Sequence, residues 1–176
     1  MLSIYECALI YIIIHGLLWN NSLNNYFQYS FLLQAQNNVT TIKSKPKGRA
    51  AIVNQPLTEF SLVLQSAVMN YAAIGFIAAD DFNKSDSVHE AGYTIYCHDG
   101  ELRRGGGKTK SGKYLSKVIK VGSVIRCVRN LNKKTITFHI NDKDAGVAYS
   151  DVPEGPLHPF VEMTSDASVK ITAWQL

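Results

Sequence analysis

Thr135-Ile136-Thr137-Phe138-His139-Ile140, followed by Asn141-Asp142, is the stretch that decides the fold. Ile136, Phe138 and Ile140 alternate with Thr135, Thr137 and His139. Side chains on a strand point to opposite faces with a period of two. The stretch therefore predicts an antiparallel strand with one buried face and one wet face. Asn and Asp tolerate positive φ better than other side chains, so Asn141-Asp142 suits a tight two-residue hairpin turn.

The same pattern extends in both directions. Toward the N-terminus it includes Val39–Ile42, Ala50–Val53, Glu59–Leu64, Ala73–Ile77, Tyr93–Cys97 and Ser123–Val128. Toward the C-terminus it includes Gly146–Tyr149, His158–Met163 and Ser168–Trp174. These segments are rich in β-branched and aromatic residues, which fit a pleated, half-buried surface. Turn chemistry separates them at Asn54-Gln55-Pro56, His98-Asp99-Gly100, Asn130-Leu131-Asn132 and Pro153-Glu154-Gly155-Pro156. Many short strands without a sustained helical period predict an all-β antiparallel sandwich. The two longest irregular stretches, Asp80–Gly92 and Arg103–Gly112, are expected as loops, the second a solvated hairpin loop.

The chain has 176 residues, enough for one ordinary domain, and needs no metal or disulfide staple. With 46% hydrophobic and 18% charged residues, wholesale disorder is excluded. Three cysteines, Cys7, Cys97 and Cys127, exclude a disulfide-dense scaffold. Charge is uneven: residues 101–143 hold twelve bases and two acids, while residues 144–176 hold one base and five acids. Within residues 101–143, the basic stretch 103–134 opens a reading as a nucleic-acid or phosphoinositide site. The plainer reading is Lys and Arg on the wet faces of strands, because charges segregated in sequence need not be segregated in space.

Met1–Trp19 differs from the rest, with fifteen apolar residues of nineteen and the unbroken run Cys7–Ile14. Its leading part carries Glu6 and no Lys or Arg, unlike a secretory signal. It also falls short of the ~20 residues of a membrane span. Three readings stand: a weak signal or anchor, a buried strand or helix, or a fragment of a larger or imperfect gene product. The Asn-rich stretch Asn20–Asn25 then suits a linker. The expected division is residues 1–30, an apolar segment with its linker, and residues 31–176, the sandwich. A cytoplasmic location is expected, with a secretory or membrane route left open by residues 1–19 and by sequons at Asn20, Asn38 and Asn83.

From about residue 37 onward, the order of the pieces resembles a SPRY domain. The resemblance is carried by Phe60–Leu64, Ile74-Gly75-Phe76, Gly92–Tyr96, His98-Asp99-Gly100, Val121–Ile125, Thr135–Asp142, Asp144–Tyr149 and Pro156–Val161. There are departures: Ser123 stands where the family usually has Asp, and Asp142 stands where Gly is usual. The tryptophan-rich early strand of the tripartite-motif subgroup is absent. The resemblance implies a concanavalin-like β-sandwich that acts as a non-catalytic adaptor and binds a partner protein or peptide through loops at one edge. By position, those loops correspond to Asp80–Glu90 and Thr164-Ser165-Asp166. The implied partner-binding residues are Asp80, Asp81, Phe82, Lys84, His89, Thr164, Ser165 and Asp166. Phe82 is expected as the apolar anchor, and Asp80, Asp81 and Lys84 as the source of charge complementarity.

Other chemistry is expected to be absent. Gly107-Lys108-Thr109 ends like a phosphate loop, but Leu102 stands where the first glycine is required. Cys97 and His98 are strand neighbours and point to opposite faces, so no Cys–His pair is expected. His89, His98, His139, His158 and the cysteines lack metal-ligand spacing. Glu59, Glu90, Asp99, Glu101 and Glu162 form no acidic cluster on one strand face, as glycoside hydrolysis requires, and Asp80-Asp81 lies on a loop. No enzyme activity, cofactor or metal is therefore expected. Stacking of single-stranded nucleic acid on Tyr93, Tyr96 and Tyr114 beside Arg103 and Arg104, and lectin-like sugar binding, stand as alternatives.

Overall fold

The computed structural model describes residues 10–14, 31–34, 40–45, 48–53, 56–66, 72–84, 88–104, 107–163 and 168–175. The elements run β1 Ile10–Ile14, β2 Phe31–Gln34, β3 Thr40–Lys45, β4 Gly48–Val53, β5 Glu59–Ser66 and β6 Ala72–Ile77. Two short helices follow, α1 Ala79–Lys84 and α2 Val88–Ala91. Then come β7 Tyr93–Tyr96, β8 Glu101–Arg104, β9 Gly107–Lys113, β10 Val124–Asn130 and β11 Thr135–Ile140. The last strands are β12 Lys143–Tyr149, β13 His158–Met163 and β14 Ser168–Gln175. Among the described residues no helix is long and apolar enough to cross a membrane.

The strands form two antiparallel sheets, ordered β12-β11-β10-β5-β14-β1-β2 and β3-β4-β13-β6-β7-β8-β9. The main core lies between them. Phe60, Leu62 and Leu64 of β5, Ile125 and Cys127 of β10, and Ile136 and Phe138 of β11 come from the first sheet. Ile74 and Phe76 of β6, Tyr93 and Ile95 of β7, and Val161 and Met163 of β13 come from the second. Phe60 and Phe76 meet edge to face across the interface at 5.1 Å, a geometry that aromatic quadrupoles favour. The alternation read from β11 holds at Ile136 and Phe138, which are buried between half-buried Thr135, Thr137 and His139; Ile140, at the strand's end, is only half-buried and packs against the core.

The turn after β11 forms as its chemistry predicts. Asn141 and Asp142 both have positive φ, 51° and 63°, and Ile140 pairs with Lys143 across a two-residue connection. Asn141 also clamps the start of β10. Its side-chain oxygen accepts the Val124 N–H at 2.9 Å, and its own N–H donates to the Val124 carbonyl at 2.9 Å.

The structure departs from the sequence reading in several places, among them β2, which is not among the expected strands, and β12, which begins at Lys143 rather than Gly146. In the stretch Arg103–Gly112, Arg103 and Arg104 belong to β8 and residues 107–112 to β9 rather than to a loop; the two strands pair Glu101 with Lys113 and Arg104 with Gly107. A polar strand at a sheet edge forms through its ladder hydrogen bonds and needs no apolar alternation. Asp80–Gly92 contains α1 and α2 rather than open loop. Of the three readings of the N-terminal segment, Ile10–Ile14 is a strand, placed between β14 and β2.

The helices are positioned by the outer face of the second sheet. Every residue of β6 and β13 is buried, so both strands are covered on both faces. The outer cover is a small cluster of Ala50, Ile52, Ile77, Phe82 and Phe160, with Ala91 packed against it. Gly92 lies under this cover because a Cβ there would sit 2.5 Å from the Phe160 ring and 2.9 Å from the Phe76 carbonyl oxygen.

Candidate functional site

Asp80, Asp81 and Lys84 are exposed on α1, and Lys84 reaches Asp80 at 3.4 Å one turn away. Phe82 corrects the sequence reading. It is 1% exposed and packs on Ile52, Ile77 and Phe160, so its ring is not available as an anchor for a partner. The ring instead holds α1 to the sheet, and the Phe82 N–H donates to the Ala78 carbonyl at 3.0 Å, closing the first turn of the helix. A six-residue helix is marginal in water, and burial of one apolar side stabilises it.

His89, on α2, is fastened to β13. Its N–H donates to Glu162 Oε2 at 2.6 Å, and its Nδ1 lies 3.0 Å from the same oxygen. This hydrogen bond, joined by the Glu162 charge, outweighs the effect of burial and raises the His89 pKa above 6.5. The imidazole stacks on Tyr96 at 5.9 Å. Arg103 lies over the same tyrosine ring, 5.2 Å from its centroid, and is held by Asp99 at 2.9 Å and Glu101 at 3.2 Å. His98 meets Tyr96 edge-on. A polar patch of His89, Tyr96, His98, Asp99, Arg103 and Glu162 thus occupies the outer face of the second sheet.

The alternation of β7 places Thr94 and Tyr96 opposite Tyr93 and Ile95. That signal was available for Tyr96. Nothing in the sequence brought Glu162 to His89.

Thr164, Ser165 and Asp166 lie outside the described residues. Met163, just before them, pairs with Ala72. α1 follows Ile77, at the other end of β6, about 17 Å away over five residue steps. α2 is the element that reaches back, through His89, to the end of β13.

Several described bases of the stretch are engaged by the domain itself. Arg126 makes a two-pronged pair with Glu59 at 2.6 and 3.0 Å, which raises the pKa of the guanidinium. Arg129 is buried, and its guanidinium donates to the Gly155 carbonyl at 2.7 Å and to the Pro153 carbonyl. Lys134 pairs with Glu154 at 2.9 Å. Arg104 sits 4.0 Å over the Tyr93 ring. The three tyrosines do not share a face. Tyr93 is buried against Tyr149, Tyr96 lies on the outer face, and Tyr114 packs edge-on against Phe138.

Cys97 and Cys127 are fully buried, and burial pushes both thiols up, which keeps them protonated at neutral pH. His98 is exposed and Cys97 buried, as expected, but both lie in the turn after β7 rather than on a strand.

Two face-to-face antiparallel sheets, with short helices and turns displayed on a packed core, define an antiparallel β-sandwich. The SPRY domain family model matches residues 69–175, more than half of the chain, and the chain belongs to this family. The fold is similar to the crystal structure of the SPRY domain of human HERC1, at 16% identity and a TM-score of 0.62, covering 80% of this chain and 95% of that one. It is also similar to a human SPRY domain, at 18% identity and a TM-score of 0.55, covering 76% of this chain and 96% of that one. No curated protein sequence matches the chain. SPRY domains are in general non-catalytic protein–protein interaction modules.

Proposed function

We propose that this chain recognises a partner peptide or protein surface through the exposed side of α1, with Asp80, Asp81 and Lys84. His89 and the Thr164-Ser165-Asp166 turn complete the site. The observation that carries this reading is the division of labour in α1. Phe82 and the His89–Glu162 bond fix the segment to the sandwich, and the charged side chains stay in water. A charged surface on a fixed element binds with little ordering cost. Two acids against one base favour a partner segment with basic residues, and such charges govern orientation and association rate.

The test is affinity capture with Asp80→Lys/Asp81→Lys, Phe82 being left in place so that the fold is not disturbed. Capture is expected to fall sharply. Neutralising Arg104, Lys108 and Lys110 should leave it largely unchanged. If the basic variant loses the partner and the acidic variant keeps it, the reading fails and phosphate binding replaces it. Phosphate binding would also weaken steeply with added salt.

A further inference from the structure

The segment between β9 and β10 closes one end of the sandwich. Its backbone is tied down by the Leu115 N–H donating to the Gly100 carbonyl and the Ile119 N–H donating to the Cys97 carbonyl, each at 3.0 Å. Ile119 is buried beneath it. Val118 and Val121 turn the other way and are 43% and 49% exposed, two of the four large apolar side chains exposed among the described residues. The opposite wall is the end of the β11–β12 hairpin, with Ile140 and Lys143. Between the walls runs an open groove of about 1020 Å³. That volume is at or above the ~300–1,000 Å³ of small-molecule pockets, and an open shape suits an extended chain.

Both walls are fixed. Asn141 clamps the hairpin turn to Val124, and the Gly122 N–H donates to the Leu64 carbonyl at 2.7 Å. Lys117, Lys120 and Lys143 are exposed around the groove. The acid that lines the groove, Asp144, turns back on its own strand, where Oδ1 accepts the Gly146 N–H at 2.7 Å, and one further acid, Asp142, is exposed in the adjoining turn. The result is an apolar floor with a positive rim, in which two exposed valines, Val118 and Val121, line the groove together with Ile140.

We infer that this groove is a second docking surface, and that its occupant is an acidic peptide segment of a partner protein with aliphatic or aromatic residues between its carboxylates. The occupant follows from charge and floor together: three cations call for carboxylates, and the valines with Ile140 call for apolar side chains. Nucleic acid fits less well, because no aromatic ring is presented for stacking. Tyr114 is half-buried, with its hydroxyl donating to the Gly146 carbonyl at 2.6 Å. The groove shares no residue with the α1 site, so the two readings stand or fall separately.

The test pans a random dodecapeptide display library against the full chain, in parallel with Lys117→Glu/Lys120→Glu/Lys143→Glu and with Asp80→Lys/Asp81→Lys. Sequences with interspersed acidic and large apolar residues are expected to be enriched on the unmodified chain and on the α1 variant. A synthetic copy of the enriched peptide should bind the lysine variant about tenfold or more weakly, the scale of lost charge complementarity. Amide-shift mapping in the unmodified chain gives an answer that depends on no substitution, and the changes should centre on residues 115–123 and 140–145. Neutral or basic consensus peptides, no enrichment, binding untouched by lysine reversal, or shifts centred elsewhere would each overturn the inference. So would displacement of the peptide by an oligonucleotide or by vesicles containing phosphoinositide.

Discussion

Phe82→Ala should destabilise the domain rather than merely weaken partner binding. The ring is 1% exposed and fills the space between Ile52, Ile77 and Phe160 on the outer face of the second sheet. Phe→Ala in a core costs about 3–5 kcal/mol, combining lost transfer energy with the cavity left behind. The lower end applies here, because α1 has six residues and can settle partway into the vacated space. A loss of about 3 kcal/mol, with a slope of about 2 kcal/mol/M, moves the urea midpoint down by about 1.5 M. Hydrogen exchange should locate the damage, with the Phe82 amide, bonded to Ala78, losing protection along with the rest of α1. The control is Lys84→Ala, which breaks an ion pair whose side chains are 77% and 83% exposed and should change stability by less than about 0.5 kcal/mol. A Phe82→Ala midpoint within about 0.3 M of the unmodified chain, combined with lost partner capture, would refute the reasoning and restore the ring as a partner anchor.

Phe138→Ala should cost about 3–5 kcal/mol and Thr137→Ala less than about 1 kcal/mol, because only Phe138 points between the sheets; equal urea midpoints would reverse the face assignment. Glu162 holds the folded-state pKa of His89 above 6.5, so the stabilisation is complete below about pH 6.5 and is lost as pH rises through the raised value. His89→Gln should therefore cost more at about pH 5 than at about pH 8.5, and a cost that grows with pH would show the sign to be wrong. A chain of residues 31–176 should unfold cooperatively in urea, since the described core runs from Ala50 to Met163; a broad, non-cooperative transition would assign β1 to the core.

The boundaries of β11 and β13 coincide with the expected ones, and the positive φ values of Asn141 and Asp142 follow from their side chains. These features are local: alternation over six residues and the tolerance of Asn and Asp for a left-handed turn are properties of the segment itself. The order of such segments also carried the family resemblance, even with Ser123 and Asp142 at variant positions. β9 was not legible, because an edge strand of Gly, Lys, Thr and Ser is defined by the neighbour it bonds to, and β8, only four residues long with one apolar side chain, carries too short an alternation to read. The charge of residues 101–143 misled for a related reason. Arg126 finds Glu59 and Lys134 finds Glu154, partners supplied from other parts of the chain.

Phe82 marks the boundary most clearly. A single aromatic among charges has the same composition whether it meets a partner or its own domain. By itself the sequence determined an antiparallel sandwich, its turns and the faces of its regular strands, because each depends on residues within a few positions of one another. Only the tertiary structure decided that Phe82 is core, that His89 belongs to Glu162, and that the valines of the β9–β10 connection face the β11–β12 turn. Those outcomes depend on surfaces assembled from strands far apart in the chain, and a side chain's burial is set by the surface it meets.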